Sequence, residues 1–388
     1  MKRIMMVCLL VFMGISLFGA SEQTEMFIQL FTMADTTVNR LGVIRQAVEA
    51  NLSDGVEFYA AALDGLVSDY PNVRGNQEIA AADDAVRILG EKLGDAKHLP
   101  AAGTIWRVYQ AFSNPIVKGD MLVVLGRMGA TDYLPQAVQV LQDLNLEAPR
   151  DRLSAERIAY GAIISLENFR DASGYLPVFF ASTGWYSDRI KSQAAASLPR
   201  ILEDPTEPLS SVIQSPSYGL DVKLLALQTI ESSWVEEAKK SQAAVLALGE
   251  GWRSSTTDRR LRANLITMRK LAIGMIRRYG TEDEAVYPLL DRSYREGADE
   301  EERYGVVACL AALKTDDAVR LLVSYLTMLN ERLIAGILTP ADERMVRTVI
   351  PALGETGHAD AATALRIVQT LSWTNAVKRI AADALSRI

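Results

Sequence analysis

An all-α superhelix, a solenoid of stacked helical hairpins, is the fold class this sequence predicts, and three observations predict it. Apolar residues recur at i, i+3, i+4 and i+7 along almost the whole chain, and runs of alternating β-branched residues are scarce. A short motif returns repeatedly at separations that a pair of helices would occupy. No Pro/Ser/Gly-rich linker or low-complexity tract interrupts the 388 residues, a length that ordinarily divides into two or three globular domains.

The first 20 residues stand apart. Met1-Lys2-Arg3 is a short basic start, Ile4 to Leu17 is apolar and uncharged, and Phe18-Gly19-Ala20-Ser21 turns small. That order is the pattern of a secretory signal peptide over 1–20, and the apolar run is short of the roughly 20 residues a spanning helix needs. Cleavage after Ser21 places Gly19 at the −3 position, and cleavage after Ala20 places Phe18 there. Left uncleaved, the segment is a membrane anchor. The expected location is therefore exported, periplasmic or extracellular.

Residues 21–79 read as an N-terminal helical cap region, and 80–388 as the repeat array. In the array an apolar residue precedes Lys or Arg, and small or apolar residues follow at +3, +4, +6 and +7 from the basic position. Lys118, Lys191, Lys223, Arg269 and Lys378 carry the motif, and Ala82, Ala159, Val306 and Val346 hold the same place in weaker copies. Successive separations are 36, 41, 32, 32, 46, 37, 40 and 32 residues. The offsets +3, +4 and +7 share one helical face, which predicts that Ala195 and Ala382, both at +4, lie in helix–helix seams. A second motif opens the other helix of each pair: Tyr133-Leu134-Pro135, Tyr175-Leu176-Pro177 and Tyr287-Pro288-Leu289 each follow a turn. Proline suits a first helical turn, where its missing N–H is not needed.

On these residues the chain resembles HEAT repeats, in particular the short PBS-lyase HEAT-like kind. The fullest copy runs from Arg344 through Pro351-Ala352-Leu353-Gly354-Glu355-Thr356-Gly357 into Ala359-Asp360-Ala361-Ala362. The resemblance implies an α-solenoid and a ladder of Asp–Arg pairs between repeats. Here Lys usually replaces the Arg, and Asp221 is the acid standing nearby.

Catalytic constellations are sparse. Forty-one basic residues face 48 acidic ones, a net charge of −7 that argues against nucleic acid as a partner. His98 and His358 each sit in a turn, about seven repeats apart, so metal and cofactor sites of the His/Cys kind are not expected. Cys309, in Val306-Val307-Ala308-Cys309-Leu310, reads as a small buried hydrophobe. The paired acids Asp83-Asp84, Glu236-Glu237 and Asp316-Asp317 read as solvated helix starts.

The expected function is a non-enzymatic scaffold or adaptor that binds another exported or envelope protein along its surface. The alternative is a lyase-like enzyme or a small-ligand carrier with a groove between repeats. Trp185, Tyr186 and Trp252 are candidate anchors, unless they pack against the neighbouring repeat. Arg253, Arg259, Arg260 and Arg262 are the candidate charged contacts. They belong to a segment that reaches Arg278 with Asp258 as its one acid and overlaps the longest separation, 46 residues. Its arginines bind an acidic partner or pair with the acids at Glu282–Glu284 and Asp299–Glu302.

N-terminal sequencing of the native protein checks the export reading. The expected first residue is Ser21 or Glu22, and intact Met1 in a membrane pellet would make the protein an anchored one.

Overall fold

The computed structural model describes residues 20–52 and 54–388, so the signal segment assigned to 1–20 lies, but for its last residue, outside the described residues. Among the described residues the regular structure is entirely helical: twenty α-helices and four single-turn 3-10 helices. They form two compact units, one ending at Glu203 and one running from Asp204 to Ile388. The first holds α1 (Ala20–Met33), α2 (Thr37–Glu49), α3 (Gly55–Asp69), α4 (Asn76–Asp95), α5 (Ala102–Ala111), α6 (Pro115–Met128), α7 (Leu134–Leu146), α8 (Arg152–Phe169), α9 (Tyr175–Thr183) and α10 (Asp188–Ile201). The second holds α11 (Thr206–Gln214), α12 (Leu220–Ser232), α13 (Glu237–Arg253), α14 (Arg259–Tyr279), α15 (Val286–Glu296), α16 (Glu300–Leu313), α17 (Asp316–Ile334), α18 (Pro340–Thr356), α19 (Ala359–Thr370) and α20 (Asn375–Leu385).

Each odd-numbered helix packs on the even-numbered helix that follows it, and within a unit successive even helices stack on one another. Each unit is thus a row of helical hairpins in two layers, a solenoid arrangement. All nine motif copies fall on even helices, one on each from α4 to α20. Sequence explains why the even helices begin where they do. Thr36, Asn114, Asp151, Asp258, Asp299, Thr339 and Thr374 each accept a hydrogen bond from a first-turn N–H of the even helix they precede. Tyr175 and Val286 open the odd helices α9 and α15, Leu134 opens α7, and their prolines lie in the first turn as expected.

The +3 position is the constant of the stack. Ala85, Met121, Ala162, Ala194, Ala226, Ala272, Cys309, Val349 and Ala381 are all buried. Cys309 therefore fills the place that alanine takes in six other copies, and burial pushes its thiol up to about 12. Between α6 and α8 the backbones themselves approach. A Cβ added to Gly161 would lie 2.2 Å from the Gly119 carbonyl oxygen, and one on Gly126 would lie 2.6 Å from Ser165 Cα. Only glycine permits this spacing.

Two expectations are corrected. Ala195 and Ala382 are exposed, not in seams. Contacts across the stack show why. The +1 and +8 residues Gly119 and Gly126 face the next even helix, as Gly90 and Gly354, also at +8, do. A +4 residue shares that face. Ala195 is on α10 and Ala382 on α20, each the last even helix of its unit, so no later helix of the same unit covers them. The pair Asp83-Asp84 is also not at a helix start: it lies in the second and third turns of α4, where Asp83 accepts a hydrogen bond from Asn114 Nδ2 (2.8 Å) and Asp84 lies 3.5 Å from Arg45.

Charge at +3 and at +4 should consequently differ. Ala194→Glu buries an unpaired carboxylate and is expected to cost about 3 kcal/mol or more, whereas Ala195→Glu should cost under about 0.5 kcal/mol. Ala381→Glu, in the terminal helix, should fray that end with a smaller loss. Urea denaturation of the three variants separates these outcomes, and equal losses at 194 and 195 would refute the register.

Candidate functional site

Five of the seven candidate residues, Trp252, Arg253, Arg259, Arg260 and Arg262, lie on α13 and α14, where the longest motif separation falls; Trp185 and Tyr186 lie between α9 and α10 of the other unit. α14 is 21 residues long, the longest helix described. Its first buried residue is Leu265, so about two turns project past the layer before packing begins. Arg259, Arg260 and Arg262 lie on that projection and are exposed. Among the described residues none of the three has an ion pair or a side-chain hydrogen bond. Arg253, ending α13, is 66% exposed and lies 3.7 Å from Glu250.

Further along α14 three of the four cations, Arg269, Lys270 and Arg278, are engaged, and Arg277 is exposed without an ion pair among the described residues. Arg269 is buried and clamps the equally buried Glu302 with both arms, Nε to Oε1 at 2.6 Å and Nη2 to Oε2 at 3.0 Å. A third donor, Nη1, reaches the Gly251 carbonyl at 3.3 Å. Glu302 in turn accepts from the Ala298 N–H (3.0 Å), while Asp299 caps the Glu302 N–H (2.9 Å). Lys270 holds Asp299 at 2.8 Å and Glu301 at 2.5 Å, and Arg278 holds Glu231 at 3.1 Å. The acidic stretch Asp299–Glu302 thus neutralises Arg269 and Lys270, as one of the two sequence readings expects. A flanking pair repeats the device: Lys223 donates to Glu250 at 2.5 Å with both side chains buried. Burial alone would raise the Glu250 carboxyl, but bonds from Lys223 and Ser254 and the charge of Lys223 outweigh it and hold it low. Two of the five basic positions, Lys223 and Arg269, therefore find acids, though not Asp221, which is exposed and makes no ion pair among the described residues; Lys118, Lys191 and Lys378 make none either.

The aromatic candidates are built into the fold. Tyr186 is buried, donates to Asn145 Oδ1 (2.9 Å) and stacks on Trp185 at 4.1 Å, which corrects its reading as an exposed anchor. Trp185 is half-buried and donates to the Leu144 carbonyl at 2.8 Å. Trp252 is half-buried, donates to Ser293 Oγ at 2.9 Å, and lies under Arg269 (4.2 Å) and Arg292 (4.6 Å). Trp373, which the sequence reading passed over, donates to Asn330 Oδ1 at 2.8 Å. The partners in these four bonds stand 41 to 43 residues apart, about one repeat, so the indoles and the phenol tie neighbouring hairpins together. Trp234, between α12 and α13, is the fully exposed tryptophan, and nothing in its sequence surroundings distinguishes it from the others. It adjoins the Glu231–Arg278 pair at the far end of α14 from Arg259. A 21-residue helix spans about 30 Å, so the two features do not form one patch.

Among the described residues no group of three or more His, Cys, Asp and Glu is arranged to hold a metal ion, and no helix is long and apolar enough to cross a membrane. His358 accepts from the Asp360 N–H at the start of α19 (3.3 Å) and lies 3.2 Å from Asp316.

No family model and no curated protein matches the chain. Among solved structures, that of human deoxyhypusine hydroxylase in complex with glycerol is similar over 86% of this chain and 98% of its own, with 18% identity and a TM-score of 0.28. The stacked-hairpin architecture is evident from the helix packing alone.

The Arg269–Glu302 pair is expected to be structural. Arg269→Met strands a buried carboxylate and should cost about 3–5 kcal/mol. The double variant Arg269→Met with Glu302→Gln should recover much of that loss. Urea titration of both reads the coupling, and additive losses would disprove it.

Proposed function

We propose that the chain is an exported, non-enzymatic scaffold that docks an acidic segment of another exported or envelope protein on the projecting start of α14. The observation that carries this reading is a contrast within one helix. Arg269, Lys270 and Arg278 all have carboxylate partners, whereas Arg259, Arg260 and Arg262 have none and face solvent. These three have no partner inside the molecule and stand together on one helix start, whereas Arg277, also exposed and unpaired among the described residues, lies at the other end of the helix. Helical spacing sets how they act together. At about 100° per residue Arg259 and Arg262 lie about 60° apart on one side, and Arg260 lies about 160° round from Arg262. Arg259 and Arg262 therefore form the contact pair, and Arg260 widens the field. Arg253, at the end of the preceding helix, adds a fourth exposed guanidinium across the short connection. Guanidinium forks bind carboxylates in two-point contacts, which suits an Asp/Glu-rich segment. Trp252 supports Arg269 from below and supplies no contact of its own; Trp185 and Tyr186 serve the fold.

The triple variant Arg259→Glu/Arg260→Glu/Arg262→Glu tests this. A labelled Glu-rich 12-residue peptide should bind the wild type, weaken as NaCl rises from 50 to 300 mM, and lose at least tenfold in affinity for the variant. The melting temperature should stay within about 1 °C, because the first two turns of α14 bury almost nothing. A lowered melting temperature with peptide binding intact would overturn the reading and make the arginines structural.

A further inference from the structure

A second cationic feature of the Asp204–Ile388 unit is a recess open to solvent, elsewhere on the stack. Helices α15, α16, α17 and α18 surround a recess of about 270 Å³, lined among others by Tyr294, Arg295, Glu300, Arg303, Arg332 and Asp342. Four of these six are charged toward a local partner and accounted for. Arg295 takes both oxygens of Asp291 at 2.9 Å, one turn back on its own helix. Arg332 donates to Asp342 at 2.6 Å, and Asp342 also accepts from the Thr339 N–H (2.9 Å) and hydroxyl (2.7 Å). Glu300 accepts from Arg344 (Nε, 3.1 Å) and from the Tyr304 hydroxyl (2.9 Å).

Arg303 is the exception. It is half-buried, no carboxylate or carbonyl accepts from it among the described residues, and its Nε is buried outright with no protein partner. The unmet Nε costs free energy, and Arg303, which lines the recess, has no acceptor from the described chain for the rest of its guanidinium either. Its charge is also the excess in the recess. Arg295, Arg332 and Arg344 balance Asp291, Asp342 and Glu300, which leaves the single positive charge of Arg303.

We propose that this recess binds one carboxylate group, held by the Arg303 guanidinium. An excess of one charge matches a monoanion. A phosphate dianion would carry a second negative charge in beside Glu300 and Asp342, where nothing neutralises it. The volume holds a group of about the size of one small amino-acid end and not a large cofactor. The carboxylate belongs to a free small acid or to the end of a peptide. This site is independent of the docking surface on α14 and stands if that reading fails.

The test uses the whole mature chain. Sodium acetate probes the free acid, and N-acetyl-Gly-Gly against its C-terminal amide probes a peptide end, each at an ionic strength matched with NaCl. Acetate, acetyl-Gly-Gly or both should raise the melting temperature saturably, by 2 °C or more, and the amide should not. Arg303→Met should abolish that shift while leaving the melting temperature in NaCl unchanged or higher, since it removes an unmet buried donor. Arg379→Met, at an exposed arginine on α20, should leave the shift intact. If Arg303→Met fails to fold, calorimetric titration of the wild type still decides. No saturable heat with either carboxylate, or a larger response to inorganic phosphate than to acetate, would overturn the proposal.

Discussion

Every even helix inside a unit is covered on both flanks by its neighbours in the same layer, only the first and last lacking one, and the rest of the structure follows from that requirement. A single helical hairpin cannot bury its apolar face alone, so each repeat depends on the next. The side chain at +3 sits in the contact and has to be small or compliant, which is why alanine dominates there and why the lone cysteine of the described chain replaces it without reactivity. Spacing along the layer then decides which side chains can bridge it. Arg87 at +5 on α4 reaches Asp120 at +2 on α6 (2.6 Å), and Arg45 reaches Asp84 in the same way one helix earlier. One step further the same two places hold Val123 and Gly161. There α6 and α8 touch backbone to backbone, and an Asp at 161 would collide with the Gly119 carbonyl. Close approach and the ion ladder are alternatives, and the α6–α8 contact takes the first.

In the unit from Asp204 onward the same layer carries its charge inside. Lys223 and Arg269 occupy the recurring basic position and are both buried, each with a carboxylate brought to it from another helix. Charges so placed are weak contributors to net stability, because desolvation offsets most of their attraction, but they punish any other arrangement by leaving a bare ion in the interior. They fix the order in which hairpins stack more than they strengthen the stack. The resemblance to HEAT repeats implied Asp–Arg pairs between repeats. Pairs of that sort exist here, at other positions and with Glu as often as Asp.

Periodicity made the layers legible. The separation of basic positions identified one helix of each hairpin from α4 onward, and the Tyr/Leu/Pro openings marked the other in three of them, because both signals arise from local backbone requirements. What failed was whatever depends on a neighbour. Ala195 and Ala382 carry the seam pattern, yet no local feature says that a helix is the last of its unit. Asp83-Asp84 looks like a helix start, yet Asn114 and Arg45, both distant in sequence, use it in mid-helix. Trp185, Tyr186 and Trp252 look like surface anchors until the acceptors one repeat away are known. Arg303 carries no signal at all, since it is distinguished by a partner it lacks. On α14 the sequence picked out the right segment but could not divide it. Arg262 and Arg269 lie on one helical face, and only the end of the layer at Leu265 makes one free and the other buried.

The net charge of −7 bears on how such a molecule recognises an anion. At physiological salt the screening length is about 8 Å, so an approaching acidic partner feels the nearest few groups and little of the rest. Beyond that distance the field of this chain opposes it, and electrostatic steering of the encounter is unavailable. Recognition must then be local and must rest on cations that no internal acid cancels. Ten basic side chains in the second unit fail that condition because the fold itself has used them: Lys223, Lys239, Arg269, Lys270, Arg278, Arg292, Arg295, Arg320, Arg332 and Arg344 are all paired within it. Arg259, Arg260 and Arg262 escape by projecting past the layer, and Arg303 escapes by sitting in a recess whose acids are already taken. Among the cations that the stack leaves unpaired, these differ from the rest, three by standing together on one helix start and Arg303 by holding a buried unmet donor, and there an anion gains more than it displaces.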